Sequence, residues 1–314
     1  MQMRQLAIII PFFQGDSFIE ECLQSIVDSP PTLVTSFRIY LVDNNSEPSR
    51  HQALFASIKE LQQVKTKAAI GFGRACNIGA YKAMEEGADV LLFLNQDTRL
   101  QADMLDQLLA CAGKEQGLQV FSPMILEYDS DRAMEMVVQS YLSAHPNLQE
   151  DLKTGDLQER YALPTIGAAC ILLHQSVIQQ IGLFDPVFYL YAEDYDFFRR
   201  LAEAEGQLFL VPTAKLHHMA GLHRSEEEFA KKRYLHYLKA QVIKSLRYEG
   251  RKQAMRKSLR WTYGVFRRQG LGASFGLLRH ALRSLLWNRS SIEAKDTSSL
   301  QRRISDQLQQ DLLA

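Results

Sequence analysis

The chain is short of cysteine, of net charge and of long apolar runs, and each shortage removes a class of protein. Its four cysteines, at positions 22, 76, 111 and 170, form no CxxC pair and no short spacing. That pattern encodes neither a disulfide framework nor a zinc site, and a reducing, cytosolic compartment is expected. No stretch reaches the roughly 18 consecutive apolar residues that a membrane span needs. The opening MQMRQLAIIIPFF is apolar but is cut off by Pro11 and by Gln14, Gly15 and Asp16, and it lacks a small-residue cleavage site. A strand is expected there rather than a secretion signal. Internal repeats and low-complexity tracts are absent. So are the G-x-G-x-x-G spacing and a G-K-[ST] loop, which excludes a standard dinucleotide fingerprint and a Walker loop.

What is present reads as globular. With 314 residues, 46% of them hydrophobic and 23% charged, the chain can bury a sizeable core, as two domains' worth of chain or as one large domain with an appendage. The 36 Lys+Arg balance the 36 Asp+Glu overall, yet the charges are segregated. Residues 1–228 hold 17 basic against 31 acidic residues, whereas residues 229–292 hold 16 basic residues against Glu249 alone. Charge sorted along a chain in this way marks two jobs.

Apolar strands are expected over 6–12, 37–42, 64–69, 88–94, 118–122, 166–174 and 207–211, the last ending at Pro212. Helices are expected over 17–28 (opened by a Ser17-x-x-Glu20 capping box), 49–62, from the Gly71 turn to about Glu86, 102–112 and 192–204. Residues 127–163 are polar and poorly periodic, and from 226 onward the chain reads helical and basic. Strands that are nearly continuous apolar runs, alternating with helices, imply a parallel sheet covered on both faces. Ligands of such sheets bind beyond the carboxyl ends of the strands. The clusters Asp43-Asn44-Asn45-Ser46 and Asn95-Gln96-Asp97-Thr98 fall at that edge.

Several residues there have the chemistry for a site, each with a plain alternative. Asp97 can hold a hard divalent cation, for which Mg²⁺ needs only one or two carboxylates besides substrate phosphates, or can cap a turn. Asp43 can accept hydrogen bonds from a ribose or base, or bond its own backbone. Gly71-Phe72-Gly73-Arg74 opens a helix whose N-terminus favours anions, or forms a simple turn. Asp194 falls on one helix face with Phe197, Phe198 and Leu201, so it is carried inward, while Glu193 and Asp196 point elsewhere, towards Arg199 and Arg200. A carboxylate on an apolar stripe must cap the helix, bind a cation or do work. The adjacent His217 and His218 are loop residues or metal ligands.

The ordered set is more specific than its members. Val42-Asp43-Asn44-Asn45-Ser46, Gly71-Phe72-Gly73 with Asn77-x-Gly79, Leu94-Asn95-Gln96-Asp97-Thr98, Gly182-x-Phe184-Asp185, Tyr191-x-Glu193-Asp194-x-Asp196 with Arg200, and Pro212-x-Ala214-x-x-x-His218 follow one another over about residues 5–225. This resembles the family 2 glycosyltransferases of the GT-A fold, especially their rhamnosyltransferase-like branch. The resemblance implies an α/β fold, with a GT-A-type mixed, mostly parallel sheet flanked by helices and a C-terminal helical extension. It implies a catalytic domain over 1–225, with a nucleotide-sugar half (1–99) and an acceptor half (100–225), and a basic helical region over 226–314.

Roles follow from the same resemblance. Asp194 would be the general base of an inverting transfer. Asp97, at the last position of a D-x-D-type motif whose first position is Asn95, would hold Mg²⁺ or Mn²⁺ on the donor diphosphate, with His218 joining it; His217 fits that register less well. Donor contacts are implied at Pro11, Asp43, Asn45, Gly71, Gly73, Arg74, Asn77 and Asn95, with Arg74 near the phosphates, and acceptor contacts at Tyr191 and Glu193. Ala69 stands where relatives often carry Asn. The implied partners are a nucleoside diphosphate sugar and a glycan or lipid-linked acceptor in cell-surface polysaccharide synthesis.

In the basic tail, Leu259, Tyr263 and Phe266, and then Leu271, Phe275, Leu278, Leu282 and Leu285, recur at helical spacing, with Arg279 and Arg283 flanking the second set. A basic amphipathic helix with aromatics can lie in an anionic membrane interface, which would place a cytoplasmic protein on the inner face of the cell membrane. The alternative is a helical layer docked on the acidic domain. Nucleic-acid binding is disfavoured, since no recognised module accompanies the basic residues, and self-association is left open. The rival readings are a nucleotidyltransferase of related fold, whose basic Gly-rich loop is missing after strand one, and a non-catalytic sugar-nucleotide-binding protein.

Overall fold

Nine strands form one sheet in the order β3-β2-β1-β4-β8-β6-β9-β5, with β7 paired to β9 off this path. The computed structural model describes residues 5–15, 17–45, 50–113, 117–134, 145, 147–219, 227–286 and 297–313; Asp16 and Ser46, read above, lie outside them. The first half supplies β1 (Gln5–Phe12), β2 (Ser36–Asp43), β3 (Leu61–Lys65) and β4 (Val90–Leu94), all parallel. Leu6 to Ile10 and Val90 to Leu94 are almost wholly buried, as strands covered on both faces must be. Helices α1 (Ile19–Asp28), α2 (Gln52–Ser57) and α3 (Phe72–Glu85) cross over between them. Gly79 lets α3 lie directly on the sheet: a Cβ there would meet Ile9 Cγ2 at 2.6 Å and Val42 Cγ2 at 3.0 Å.

The second half adds β5 (Thr98–Leu100), β6 (Gln119–Glu127), β7 (Tyr161–Leu163), β8 (Cys170–His174) and β9 (Gln207–His218), with helices α4 (Met104–Ala112), α5 (Leu148–Thr154), α6 (Gln175–Ile181) and α7 (Glu193–Glu203). β8 runs antiparallel to both β4 and β6, and β9 is parallel to β6. Six strands therefore share one direction while β5, β7 and β8 oppose it. The sheet is mixed and mostly parallel, as expected.

Four local expectations change. The capping box does not form: α1 starts at Ile19, its N-cap is Phe18, and no side chain caps it. The second helix stops at Ser57, so that Leu61 to Lys65 can pair with β2. The third strand is accordingly 61–65 rather than 64–69. The last strand does not end at Pro212 but runs to His218. Pro123 pairs with Val211 and Met124 with Lys215, so residues 212–214 bulge out of the ladder. A bulge is one of the few places a strand tolerates proline.

The C-terminal region comprises α8 (Glu227–Tyr248), α9 (Arg251–Gln269), α10 (Leu271–Leu286) and α11 (Thr297–Leu313). Leu238, Val242 and Leu246 of α8 form a separate core with Ala254, Val265, Leu277 and Ala281 of α9 and α10. Helix α11 belongs to the main core, into which it sends Leu300, Ile304 and Leu308. Among the described residues no helix is long and apolar enough to cross a membrane.

Candidate active site

Because β2, β4 and β9 run the same way, their carboxyl ends bring Asp43, Asn95, Asp97 and His218 to one edge of the sheet. The pairing of β5 with β9 sets Thr98 opposite His218, and the Met219 N–H donates to the Asp97 carbonyl at 2.9 Å. Asp97 Oδ1 then lies 3.2 Å from His218 Nε2, both side chains being partly exposed. Asn95 Nδ2 is 3.5 Å from the same ring nitrogen. His217, on the opposite face of the strand, places Nδ1 2.8 Å from the Glu127 carbonyl and is buried. Alternation along β9 thus gives the two neighbouring histidines different surroundings.

Asn95 Oδ1 is buried without a hydrogen-bond partner among the described residues. A buried orphan acceptor beside a carboxylate and an imidazole is a donor set that a divalent cation would satisfy. Among the described residues no group of three or more His, Cys, Asp and Glu side chains is placed to hold a metal ion, so this site offers two such ligands plus an amide oxygen. The remaining positions would fall to a phosphate-bearing ligand and water, the usual arrangement for a catalytic divalent ion.

The second chemical centre is the start of α7. Tyr191 and Ala192 both hold positive φ, 70° and 66°, a backbone arrangement that costs on the order of 1–3 kcal/mol per residue and clusters at functional sites. It turns Glu193 and Asp194 into the first turn of the helix. Asp194 is half-buried and accepts from its neighbour Tyr195 N–H at 2.7 Å. Burial holds its carboxyl above the ordinary range, and backbone donors at Tyr195 and Ala168 and the Lys244 charge pull the other way. The net shift is upward, in the direction a general base needs.

The two centres share a support. Asn95 N–H donates to the Ala169 carbonyl at 2.8 Å, and the backbone of Ala168, the preceding residue, is near enough to the Asp194 carboxylate to lower its proton affinity. Strand β4, which ends two residues before Gln96 and three before Asp97, and the first turn of α7 therefore meet consecutive residues of one loop.

Neighbouring carboxylates differ from the sequence expectation. Asp196, not Asp194, is the fully buried one. Arg200 Nε donates to it at 2.9 Å, Tyr248 Oη at 2.7 Å, and Arg247 also bonds it. Burial acts to raise its carboxyl, but Arg200 and Arg247 overcome this and the net shift is downward. Arg199 pairs with Glu203 rather than with Glu193. Glu193 is only 6% exposed, packs on Gly73, and keeps one oxygen without a partner. Burial first, then the Asp194 charge, pushes its carboxyl up to about 8.

On the donor side the structure separates exposed groups from framework. Asp43 Oδ2 is 3.8 Å from Lys65 Nζ, and Asn45 is exposed at φ 60°. Pro11 is buried in the ladder opposite Val42. Gly71, at φ 93°, is needed because a Cβ would overlap the Tyr189 carbonyl, and Phe72 N–H donates to that carbonyl at 3.2 Å. Gly73 faces Phe184 and Glu193. Asn77 is 2% exposed and uses both amide groups on Phe184, donating to its carbonyl at 2.7 Å and accepting from its N–H at 3.0 Å. Arg74 forms a two-point pair with Asp311 of α11. Gly71, Gly73, Arg74 and Asn77, expected as donor contacts, each have a part in the framework. These four lock α3 onto the 184–193 segment and α11, and their contacts are with protein.

Residues 7–182 match the description Glycosyl transferase family 2. The chain belongs to that family. This glycosyltransferase is 25% identical over 246 residues to the N-acetylglucosaminyl-diphospho-decaprenol L-rhamnosyltransferase of Mycobacterium tuberculosis, covering 71% of this chain and 78% of the relative. Its fold is similar to that of GalNAc-T7, solved with UDP, GalNAc and Mn²⁺ (TM-score 0.58, 14% identity, 99% of this chain), of which it spans 57%. It is also similar to residues 1–349 of S. aureus TarS in complex with UDP-GlcNAc (TM-score 0.55, 13% identity, 98% of this chain and 92% of that one). The readings as a nucleotidyltransferase or as a non-catalytic binding protein fall away with the family.

Three contributions to the site have no local signal in the sequence. Asn44 accepts from Ile70 N–H at 2.7 Å and so fixes the approach to the Gly71 turn. Gln96 clamps Phe13, accepting from its N–H at 2.7 Å and donating to its carbonyl at 3.0 Å. Helix α8 reaches the α7 turn from the basic tail: Arg233 Nε donates to Tyr191 Oη at 2.8 Å, and Lys244 Nζ sits 3.6 Å over the Tyr195 ring.

Proposed function

We propose that this glycosyltransferase moves a sugar from a nucleoside diphosphate donor to a hydroxyl of a glycan or lipid-linked acceptor, with inversion at the anomeric carbon. The observation that carries the reading is the Ala168–Ala169 loop, whose Ala169 carbonyl accepts from Asn95 N–H and whose Ala168 backbone acts on the Asp194 carboxylate. It supports a single cleft with a cation-type donor set at one wall and a half-buried carboxylate of raised affinity for protons at the other. The rhamnosyltransferase among the relatives favours rhamnose as the sugar and a lipid-linked diphosphate glycan as the acceptor, within cell-surface polysaccharide synthesis.

Asp194 takes the proton from the acceptor hydroxyl as that oxygen attacks the anomeric carbon. The nucleoside diphosphate leaves from the opposite face, so one displacement inverts the centre. Such a base contributes about 10²–10⁴-fold. Tyr191, oriented by Arg233, flanks the acceptor side, and Asp43 and Asn45 at the end of β2 serve the nucleoside. Asp97, His218 and Asn95 Oδ1 would hold Mg²⁺ or Mn²⁺, and the imidazole weighs towards the transition ion. When bound, the ion would supply positive charge against the departing diphosphate.

The test is Asp194→Asn with a panel of sugar nucleotides. Transfer should fall by about 10²–10⁴-fold while donor-induced thermal stabilisation persists; unchanged turnover would remove Asp194 from the chemistry.

A further inference from the structure

Of the large apolar side chains that stand exposed, eight fall within residues 255–286, and their arrangement is regular. On α9, Met255, Leu259, Tyr263 and Phe266 are 46–63% exposed. At 3.6 residues per turn they lie within an arc of about 80°. On α10, Leu271, Phe275, Leu282 and Leu286, 50–84% exposed, lie within about 60°. In both helices one side of the arc borders the buried face, formed by Ala254, Ser258 and Val265 on α9 and by Ser274, Leu277, Ala281 and Ser284 on α10. In both, the other side of the arc borders arginines: Arg256, Arg260 and Arg267 on α9, Arg279 and Arg283 on α10. The order of stripes, buried then apolar then basic, is the same in two helices packed on one another.

We propose that the α9–α10 hairpin is a docking surface for an anionic lipid bilayer, with its leucines and aromatics entering the interface and its arginines meeting the headgroups. This gives a place on the molecule to the membrane partner that a lipid-linked acceptor requires, and its biological reason rests on that reading of the acceptor. Charge complementarity selects the occupant. The 229–292 region carries 16 basic residues and one acidic one, so a second copy laid on the same face would set arginines against arginines, whereas an anionic headgroup layer neutralises them.

The hairpin is also joined to the site. Leu238, Val242 and Leu246 of α8 pack into its core, and the same helix holds Tyr191 through Arg233 and covers Tyr195 with Lys244. Docking the hairpin on a bilayer therefore fixes the acceptor side of the cleft relative to the lipid surface.

The experiment is co-sedimentation of the full chain at 0.15 M salt with phosphatidylcholine vesicles, with and without 30% phosphatidylglycerol. Binding should require the anionic lipid. Arg279→Gln with Arg283→Gln should weaken it by about 25-fold, at about fivefold per charge. Tyr263→Ser with Phe275→Ser and Leu282→Ser should weaken it at least tenfold. All five positions are surface residues, and circular dichroism should match the parent chain. Equal partition of the parent and both variants would overturn the proposal. So would a concentration-dependent dimer, seen by sedimentation velocity, that the Tyr263→Ser set dissociates while lipid binding is absent. Donor-induced thermal stabilisation without lipid reads the transferase assignment separately: lipid binding that persists when no sugar nucleotide stabilises the protein would sink the transferase reading and leave the docking surface standing.

Discussion

Replacing Glu193 with glutamine should remove a loss of stability that the parent chain undergoes as pH rises from about 4.5 to about 8. Glu193 is buried, with Cys76 and Gly73 as neighbours and one oxygen without a partner. Burial, reinforced by the Asp194 and Asp196 charges, moves its carboxyl from the ordinary 4.5 up to about 8. Between those values the native state keeps a proton that the unfolded chain has released. Native stability therefore falls as pH rises through this window, by about 1.4 kcal/mol per pH unit, and levels off above pH 8. The whole window amounts to on the order of 5 kcal/mol, which Glu193→Gln does not lose because its amide does not titrate. Urea denaturation of both chains at pH 5, 7 and 9 measures the difference, and the remaining titrations cancel between them. The variant should be close to the parent at pH 5 and more stable by several kcal/mol at pH 9. A difference that does not change with pH would refute a protonated Glu193. So would a parent more stable than the variant at pH 9, since that would require a cation beside the carboxylate.

Two further outcomes test the framework and the cation site. Asp97→Ala should abolish the dependence of donor binding on Mn²⁺ or Mg²⁺ in calorimetry while leaving the fold intact by circular dichroism; unaltered metal dependence would move the cation elsewhere. Arg247→Met should destabilise the protein by about 3–5 kcal/mol in urea unfolding, because it leaves Asp185 and Asp196, both fully buried, short of their shared cation. A loss below 1 kcal/mol would show that Arg200 and Arg303 suffice.

The parts of this fold legible in the sequence are those set by local burial. Leu6 to Ile10 and Val90 to Leu94 are apolar runs that can only be interior strands, and the polar residues that follow Val42 and Leu94 had to lie at the sheet's open edge. Asp97 and His218 were brought together on paper by family motif, and they lie 3.2 Å apart. What sequence order conceals is the partner far along the chain. Phe197, Phe198 and Leu201 do face the interior, but the acidic residue that joins them is Asp196, because Arg247, 51 positions later, neutralises it. Asn77 has the look of a ligand contact until Phe184, 107 positions away, takes both its amide groups. Proline at 212 signals the end of a strand by every local rule, and the bulge that accommodates it depends on the register with β6, which no window of β9 contains.

Arg247 has a consequence for how such a chain can be cut or recombined. It comes from the basic tail, yet its two bonds end on Asp185 and Asp196 inside the catalytic half, and Arg303 of α11 adds a second bond to Asp185. A fragment ending near residue 225 would keep Arg200 on Asp196 but leave Asp185 with none of these three guanidiniums. The tail is thus no detachable module. A chimera that grafts another enzyme's C-terminal helices onto this body will fold only if the graft brings its own guanidinium to the same two acids.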